Sequence, residues 1–233
     1  GGIDTSPEQT FSINVTRPDN PVEVDFEENA EGLIDTVFAY NTTPAGQGSQ
    51  ITTRLTDDVL ALGVEAVFDN LTGLYEVVNR NGAILDGDIV LLPSDNPSRY
   101  AELAIANRVS AFSIRSGSSG DPTRNTTVEQ FGDVLLAGGK LYAPFVIANA
   151  GALGFEGFIA AENAESDGVF NDAANFGSDL VAYFAFSGAN PDGVAHLQAR
   201  GNNIFGFEDL PANLGISDND FNDAIFAFSF AAI

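Results

Sequence analysis

Apolar residues in this chain alternate with polar ones over short stretches, and each stretch soon ends. The alternation is visible at Phe11-Ile13-Val15, Val22-Val24-Phe26, Val64-Ala66-Phe68 and Phe226-Phe228-Phe230. A period of two puts every second side chain on one face, which suits a half-buried strand and not an amphipathic helix. Shorter apolar runs at 89–92, 111–115, 141–147, 180–186 and 203–207 predict further strands. Turn-forming residues punctuate them, as in PAGQGS (44–49), DNLTG (69–73), NRNG (79–82) and SGSSGDP (116–122). The unit VEAVFDNLTGLYEVV predicts a hairpin in which residues 74–78 return against 64–68. One helix is expected over about 98–109 with Ser98 as its cap, and a shorter helical turn near 56–62. This pattern predicts a mainly β fold, an antiparallel β-sandwich of jelly-roll type with one or two short helices.

Phenylalanine supplies much of the apolar content, with 19 Phe and no Trp. Phe184, Phe186, Phe205, Phe207, Phe226, Phe228 and Phe230 fall at strand spacing, so they read as core and not as a ligand-stacking platform. No break in composition divides residues 27–233, which predicts a single domain there. Residues 1–26 stand apart as an arm of two alternating stretches separated by Arg17-Pro18-Asp19-Asn20-Pro21. Phe11, Ile13 and Val15 would lay one of these stretches on a sheet edge. That edge belongs either to the same molecule or to the next subunit, the second choice giving a head-to-tail filament.

Charge narrows the partners. Thirty-three acidic residues against nine basic ones give a formal net charge of −24. Nucleic acid and anionic membranes are therefore excluded as partners, and self-repulsion calls for bound cations or high salt. There is no cysteine and His196 is the single histidine, so disulfides and the usual Cys/His zinc sites are excluded. No apolar run approaches the roughly 20 residues that span a bilayer, so no membrane insertion is expected. The absence of a methionine at position 1 leads us to expect a removed N-terminal segment, a signal peptide being one candidate. Asn14, Asn41, Asn70 and Asn125 stand in N-x-S/T triplets, which we read as incidental.

The acids gather most densely near the C-terminus, in GNNIFGFEDLPANLGISDNDFNDAIFAFSF. Glu208, Asp209, Asp218, Asp220 and Asp223 lie there, and no Lys or Arg follows Arg200. Carboxylates crowded without basic neighbours repel one another unless they share a hard cation. Asp218, Asp220 and Asn222 echo the opening of an EF-hand loop. The echo then fails, because Asp223 replaces the turn glycine and Ser229 replaces the bidentate glutamate. Glu208 and Asp209 are the nearest source of missing ligands, and Ca2+ suits a flexible, oxygen-rich loop better than magnesium. Glu162, Glu165, Asp167, Asn171 and Asp172 form a looser second candidate for a metal or supporting site.

Several segments together resemble a bacterial domain-of-unknown-function family, number forty-one fourteen, found in large secreted and cell-surface proteins. They are GLYEVVNRNGAILD (73–86), RYAELAIANRV (99–109), GGKLYAPFVIANAG (138–151), VAYFAFSGANPDGVAH (181–196) and GFEDL with SDNDFNDAIFAFSF (206–230), and the resemblance spans about residues 60–230. It implies a secreted β-rich module with metal-binding acids at Glu208, Asp209, Asp218, Asp220 and Asp223. It also implies a supporting motif at Asn190, Asp192 and His196. The expected function is that of a non-enzymatic, calcium-binding extracellular structural protein. It would act as a cell-surface or matrix building block that joins other copies of itself. A calcium-dependent carbohydrate-binding or adhesion module is the alternative, and a glycan hydrolase with an acid pair such as Glu208 and Asp220 ranks third.

Overall fold

Of the four alternating segments, the last falls on strand at 224–227 and 230–232, while 11–15, 22–26 and 64–67 lie outside the described residues. All strand pairings among the described residues are antiparallel. The computed structural model describes residues 34–35, 53–55, 59–63, 68–110, 112–116, 128–129, 135–136, 140–177, 180–199, 204–227 and 230–232. In chain order the first strands are β1 (Ile34–Asp35), β2 (Thr53–Leu55), β3 (Val59–Gly63), β4 (Leu71–Val77), β5 (Ile84–Asp86) and β6 (Ile89–Leu91). Helix α1 (Pro97–Ala106) follows, then β7 (Ile114–Arg115), β8 (Val128–Glu129), β9 (Leu135–Leu136) and β10 (Leu141–Ile147). Helix α2 (Gly154–Ala164) precedes β11 (Ala182–Phe184), β12 (Leu197–Ala199), β13 (Ile204–Phe207), β14 (Ala224–Ala227) and β15 (Phe230–Ala232). With two helices among so many strands, the fold is mainly β. No helix among the described residues is long and apolar enough to cross a membrane. Phe11, Ile13 and Val15, and with them the arm 1–26, lie outside the described residues.

One five-stranded sheet runs β1-β10-β4-β7, with β11 also pairing β10. Its central pair, β4 and β10, is in register from Leu141 opposite Val77 to Ile147 opposite Leu71. The second five-stranded sheet runs β12-β13-β14-β3-β8 and carries the acidic loop between β13 and β14. A three-stranded sheet (β15-β2-β9) and the ribbon β5-β6 complete the order. The ribbon turns at Gly87, whose φ of 63° is reached without strain because glycine has no Cβ.

The core explains why so much phenylalanine is present. Tyr75, Tyr100, Phe145 and Phe184 pack together with ring centroids 5.7–6.1 Å apart, mostly edge to face. Such pairs add about 0.5–1.5 kcal/mol each beyond area burial. The Tyr100 hydroxyl donates to the Gly82 carbonyl at 2.6 Å and meets the Tyr75 hydroxyl at 3.0 Å, so the buried polar ends are satisfied. Phe184, Phe186, Phe205, Phe207 and Phe226 are all buried, as the strand spacing predicts.

Three local expectations are corrected. Residues 71–73 of the DNLTG turn are strand, and β4 pairs with β10 and β7; residues 64–67, the other arm of the expected hairpin, lie outside the described residues. Gly73 presents no side chain, which lets the Phe145 ring lie against its backbone. The segment near 56–62 holds strand β3 and not a helical turn, because β14 and β8 supply its backbone partners. Helix α1 is capped by Asn96, whose side chain accepts from the Arg99 N–H at 3.1 Å, with Pro97 inside the first turn. Ser98 instead accepts from the Phe170 N–H at 2.9 Å.

Candidate metal centre

The acidic loop hangs between two paired strands, which hold both its ends. Phe207 lies opposite Ala224 at the end of β13 and β14, and the Asp223 N–H returns to the Phe207 carbonyl at 3.1 Å. Pro211 then precedes a short 3-10 turn at Ala212–Leu214, closed by Gly215 in the left-handed region at φ 68°. Asn219 and Phe221 also have positive φ, 59° and 56°. Asn tolerates that conformation, whereas for Phe it is strained by about 1–2 kcal/mol. The backbone is thus bent hard on either side of Asp220.

This bending brings one carboxylate oxygen each from Glu208, Asp218 and Asp220 to within 4.8 Å of one another. Two oxygens on opposite sides of a calcium ion stand about 4.8 Å apart, given bonds of roughly 2.4 Å. Glu208 is buried, while Asp218 and Asp220 are exposed. The Glu208 Oε2 atom is buried and has no hydrogen-bond partner. Burial raises the Glu208 carboxyl above its ordinary range. A hydrogen bond with Ser217 opposes this, and the charges of Asp223 and Asp218 add to it. The donor set is all hard oxygen, and a buried anionic oxygen with no proton donor is what a cation would satisfy. The residues present therefore fit calcium.

The other acids of the segment do something else. Asn222 gives both its N–H (3.0 Å) and its side-chain amide to the Asp220 carboxylate and so orients that ligand. Asp209 follows Glu208 but turns inward, where its Oδ2 accepts from the Asn70 side chain at 2.7 Å. Its N–H donates to Asp223 Oδ2 at 2.9 Å. Burial first, and then the charge of Asp223, push the Asp209 carboxyl up to about 8, against the Asn70 hydrogen bond. Burial likewise raises Asp223, although the Asp209 N–H opposes it. Such a pair shares a proton near neutral pH. The six sequence-predicted residues thus divide into three facing one point, one orienting residue and an inner pair.

Beneath the loop lies the supporting motif. His196 is fully buried and stacks on Tyr183 with ring centroids 3.7 Å apart. The Glu208 N–H donates to the His196 carbonyl, and His196 Nδ1 meets the Glu208 carbonyl, both at 2.9 Å. Its Nε2 meets Asp192 Oδ2 at 2.9 Å, and that oxygen also accepts from the Ala212 N–H at 3.0 Å. Burial would raise the Asp192 carboxyl, but the hydrogen bonds and charge of His196, with the N–H groups of Ala212 and Val194, hold it below its ordinary range. Asn190 ties β11 in place, accepting from the Phe184 N–H at 2.7 Å and donating to the Val194 carbonyl at 2.8 Å. These three residues clamp the backbone that carries Glu208.

The second acidic group is differently built. Glu162 is buried near the end of α2, and its oxygens accept from the Asn171 N–H and, at 2.5 Å, from the Asn175 side chain. Asn175 also reaches Glu165 at 3.3 Å, and Asp167 accepts from the Val169 N–H at 3.0 Å within its own loop. Asn171, at φ 51°, pairs by its side chain with both the N–H and the carbonyl of Ala182. Asp172 donates its N–H to Asn175 Oδ1 at 3.0 Å. Burial, with the charges of Glu165 and Asp172, raises the Glu162 carboxyl to about 7 against these hydrogen bonds. Among the described residues, these five do not converge on one point as Glu208, Asp218 and Asp220 do.

Sequence reasoning missed Asn70, Ser217 and Asn175. Asn70 reads in sequence as part of the DNLTG turn and of an N-x-S/T triplet, yet its side chain is buried against Asp209. Ser217 carried one signal, its place directly before Asp218.

Residues 136–231 match the model of a family described as Domain of unknown function (DUF4114). The resemblance to that family is thus shown over the segment holding the acidic loop and the clamp beneath it. The match begins later than the residue 60 expected from sequence. No curated protein and no solved structure matches the chain.

Proposed function

We propose that this protein is a non-enzymatic, calcium-binding extracellular structural module in which the ion fastens the β13–β14 loop to the fold. The observation that carries this reading is the buried Glu208 carboxylate, whose Oε2 has no hydrogen-bond partner and which brings one oxygen within 4.8 Å of oxygens from Asp218 and Asp220. A ligand that binds only the folded state stabilises it by mass action. Relief of repulsion among acids, in a chain of net charge −24, contributes to the affinity of the ion and so to that gain.

A hydrolase would need one of these acids protonated as a general acid and another ionised. A cation shared by Glu208 and Asp220 keeps both ionised, which disfavours that role. Assembly through the arm 1–26 remains part of the structural reading, with deletion of residues 1–20 as its separate test. The calcium reading is tested by thermal unfolding in low salt with and without chelator. Chelation is expected to lower the melting temperature reversibly, and an unchanged curve would refute the reading.

A further inference from the structure

We propose that the ion held by Glu208, Asp218 and Asp220 completes its coordination with a carboxylate from a second copy of this chain. The loop 212–220 is then a calcium-dependent self-association surface. This rests on the calcium reading above and deepens it by naming the partner.

The first argument is coordination. Calcium takes 6–8 oxygens, and three carboxylates converge here. The nearest further acids have other partners, since Asp209 accepts from Asn70 and Asp223 accepts from the Asp209 N–H. The Asp220 carboxylate is partly taken up by Asn222. Only Glu208 lies on the buried side, so the open positions of the ion face outward, beside the exposed Asp218 and Asp220.

The second argument is the surface around those positions. Leu214 and Ile216 are each 55% exposed, and Val194 is 38% exposed. Asp192 binds the N–H groups of both Val194, at 3.3 Å, and Ala212, at 3.0 Å, so the two segments lie side by side. The flank of the ion is therefore aliphatic. No aromatic residue is among the exposed large apolar side chains of the described residues, so a sugar would find no ring face to stack on here.

Charge then selects the occupant. A chain with 33 acids and 9 bases repels both anionic lipid and its own copies. An outward-facing calcium ion reverses that locally: it presents positive charge to a partner whose surface is rich in carboxylates. A second copy supplies both the oxygen ligands and a matching aliphatic patch.

The test follows the full chain by sedimentation velocity in low salt with added calcium, magnesium or chelator, with calcium binding measured by calorimetry in parallel. Wild type is expected to move from monomer to a larger species with calcium and to return on chelation. The double variant Leu214→Ser/Ile216→Ser should bind calcium within twofold of wild type yet associate at least tenfold more weakly. Asp220→Ala should lose both. Wild type that binds calcium but stays monomeric overturns this proposal and leaves the calcium reading standing, whereas absence of calcium binding overturns both. Association that survives the double substitution, or that vanishes only when residues 1–26 are removed, also overturns it. So does calcium-dependent capture by glycans or phosphatidylserine vesicles without self-association.

Discussion

Glu162 and Glu208 are both buried glutamates, 3% and 2% exposed, and both stand beside further acids, yet their oxygens meet opposite surroundings. Glu162 faces donors: the Asn171 N–H and the Asn175 amide reach its two oxygens. Glu208 faces other carboxylates, and its Oε2 has no donor. In the first region amides reach both oxygens of a buried carboxylate; in the second Ser217 supplies one hydrogen bond, and in the proposed reading a cation does the rest. Crowding of acids alone therefore does not mark a metal site. The supply of hydrogen-bond donors decides which cluster needs an ion.

The two regions should respond differently to the same disturbances. The largest effect is expected at Glu162. Asn175→Ala removes a donor from a buried carboxylate and an acceptor of the Asp172 N–H, costing about 3 kcal/mol. Denaturant unfolding should give the same loss with calcium and with chelator, and a loss confined to one condition would break the contrast. Next comes Asp220→Ala. At a hundredfold excess over its dissociation constant, calcium should stabilise wild type by about 2.7 kcal/mol and this variant scarcely at all.

Glu208→Gln sharpens the contrast further. Without calcium, an amide facing Asp218 and Asp220 donates where two acids had repelled, so the variant should be more stable than wild type by about 1 kcal/mol. With calcium the order should reverse. Unfolding curves that keep the same order in both conditions would show that Glu208 is an ordinary buried acid.

A further effect is one of slope, read across pH and not from a single substitution. Asp209, Glu208, Asp223 and Glu162 all have folded-state carboxyls raised above the ordinary range. A raised acid contributes stability that is fully present below its unfolded value, near 4, and is lost as pH rises through its folded value. In chelator, stability should therefore fall from pH 4 toward 8, the upper limit set by Asp209 at about 8. Calcium should flatten the part due to Glu208, because a divalent charge holds that carboxylate ionised. The part due to Glu162, raised to about 7, should persist. Melting temperatures across pH 4–8, with and without calcium, read both.

Much of this was legible in sequence where the signal is local. Strand β10 occupies 141–147 as its apolar run predicts, and β13 lies within 203–207. Helix α2 was missed because its two core phenylalanines, Phe155 and Phe158, are diluted by Gly154, Gly157 and the small residues after Ile159. The turn expected at 71–73 is strand instead because pairing is a tertiary choice: β4 found β10 across a long stretch of chain, which no nearby turn signals. The candidate ligands were visible as a group because acids near the C-terminus lack basic neighbours. Their division into an outer trio and an inner pair was not visible, since it depends on Asn70, far away in sequence, drawing Asp209 inward. The positive φ of Asn219 and Phe221 was equally hidden.

The central claim is that Glu208 supplies a buried ligand to a calcium ion, and calorimetric calcium titration in low-salt, metal-free buffer tests it most directly. Wild type is expected to bind calcium saturably. Glu208→Gln should bind at least about tenfold more weakly, the consequence of losing one charged ligand worth roughly 1.5–3 kcal/mol. Absence of saturable binding in wild type, or equal affinity in Glu208→Gln with its fold intact, would contradict the account.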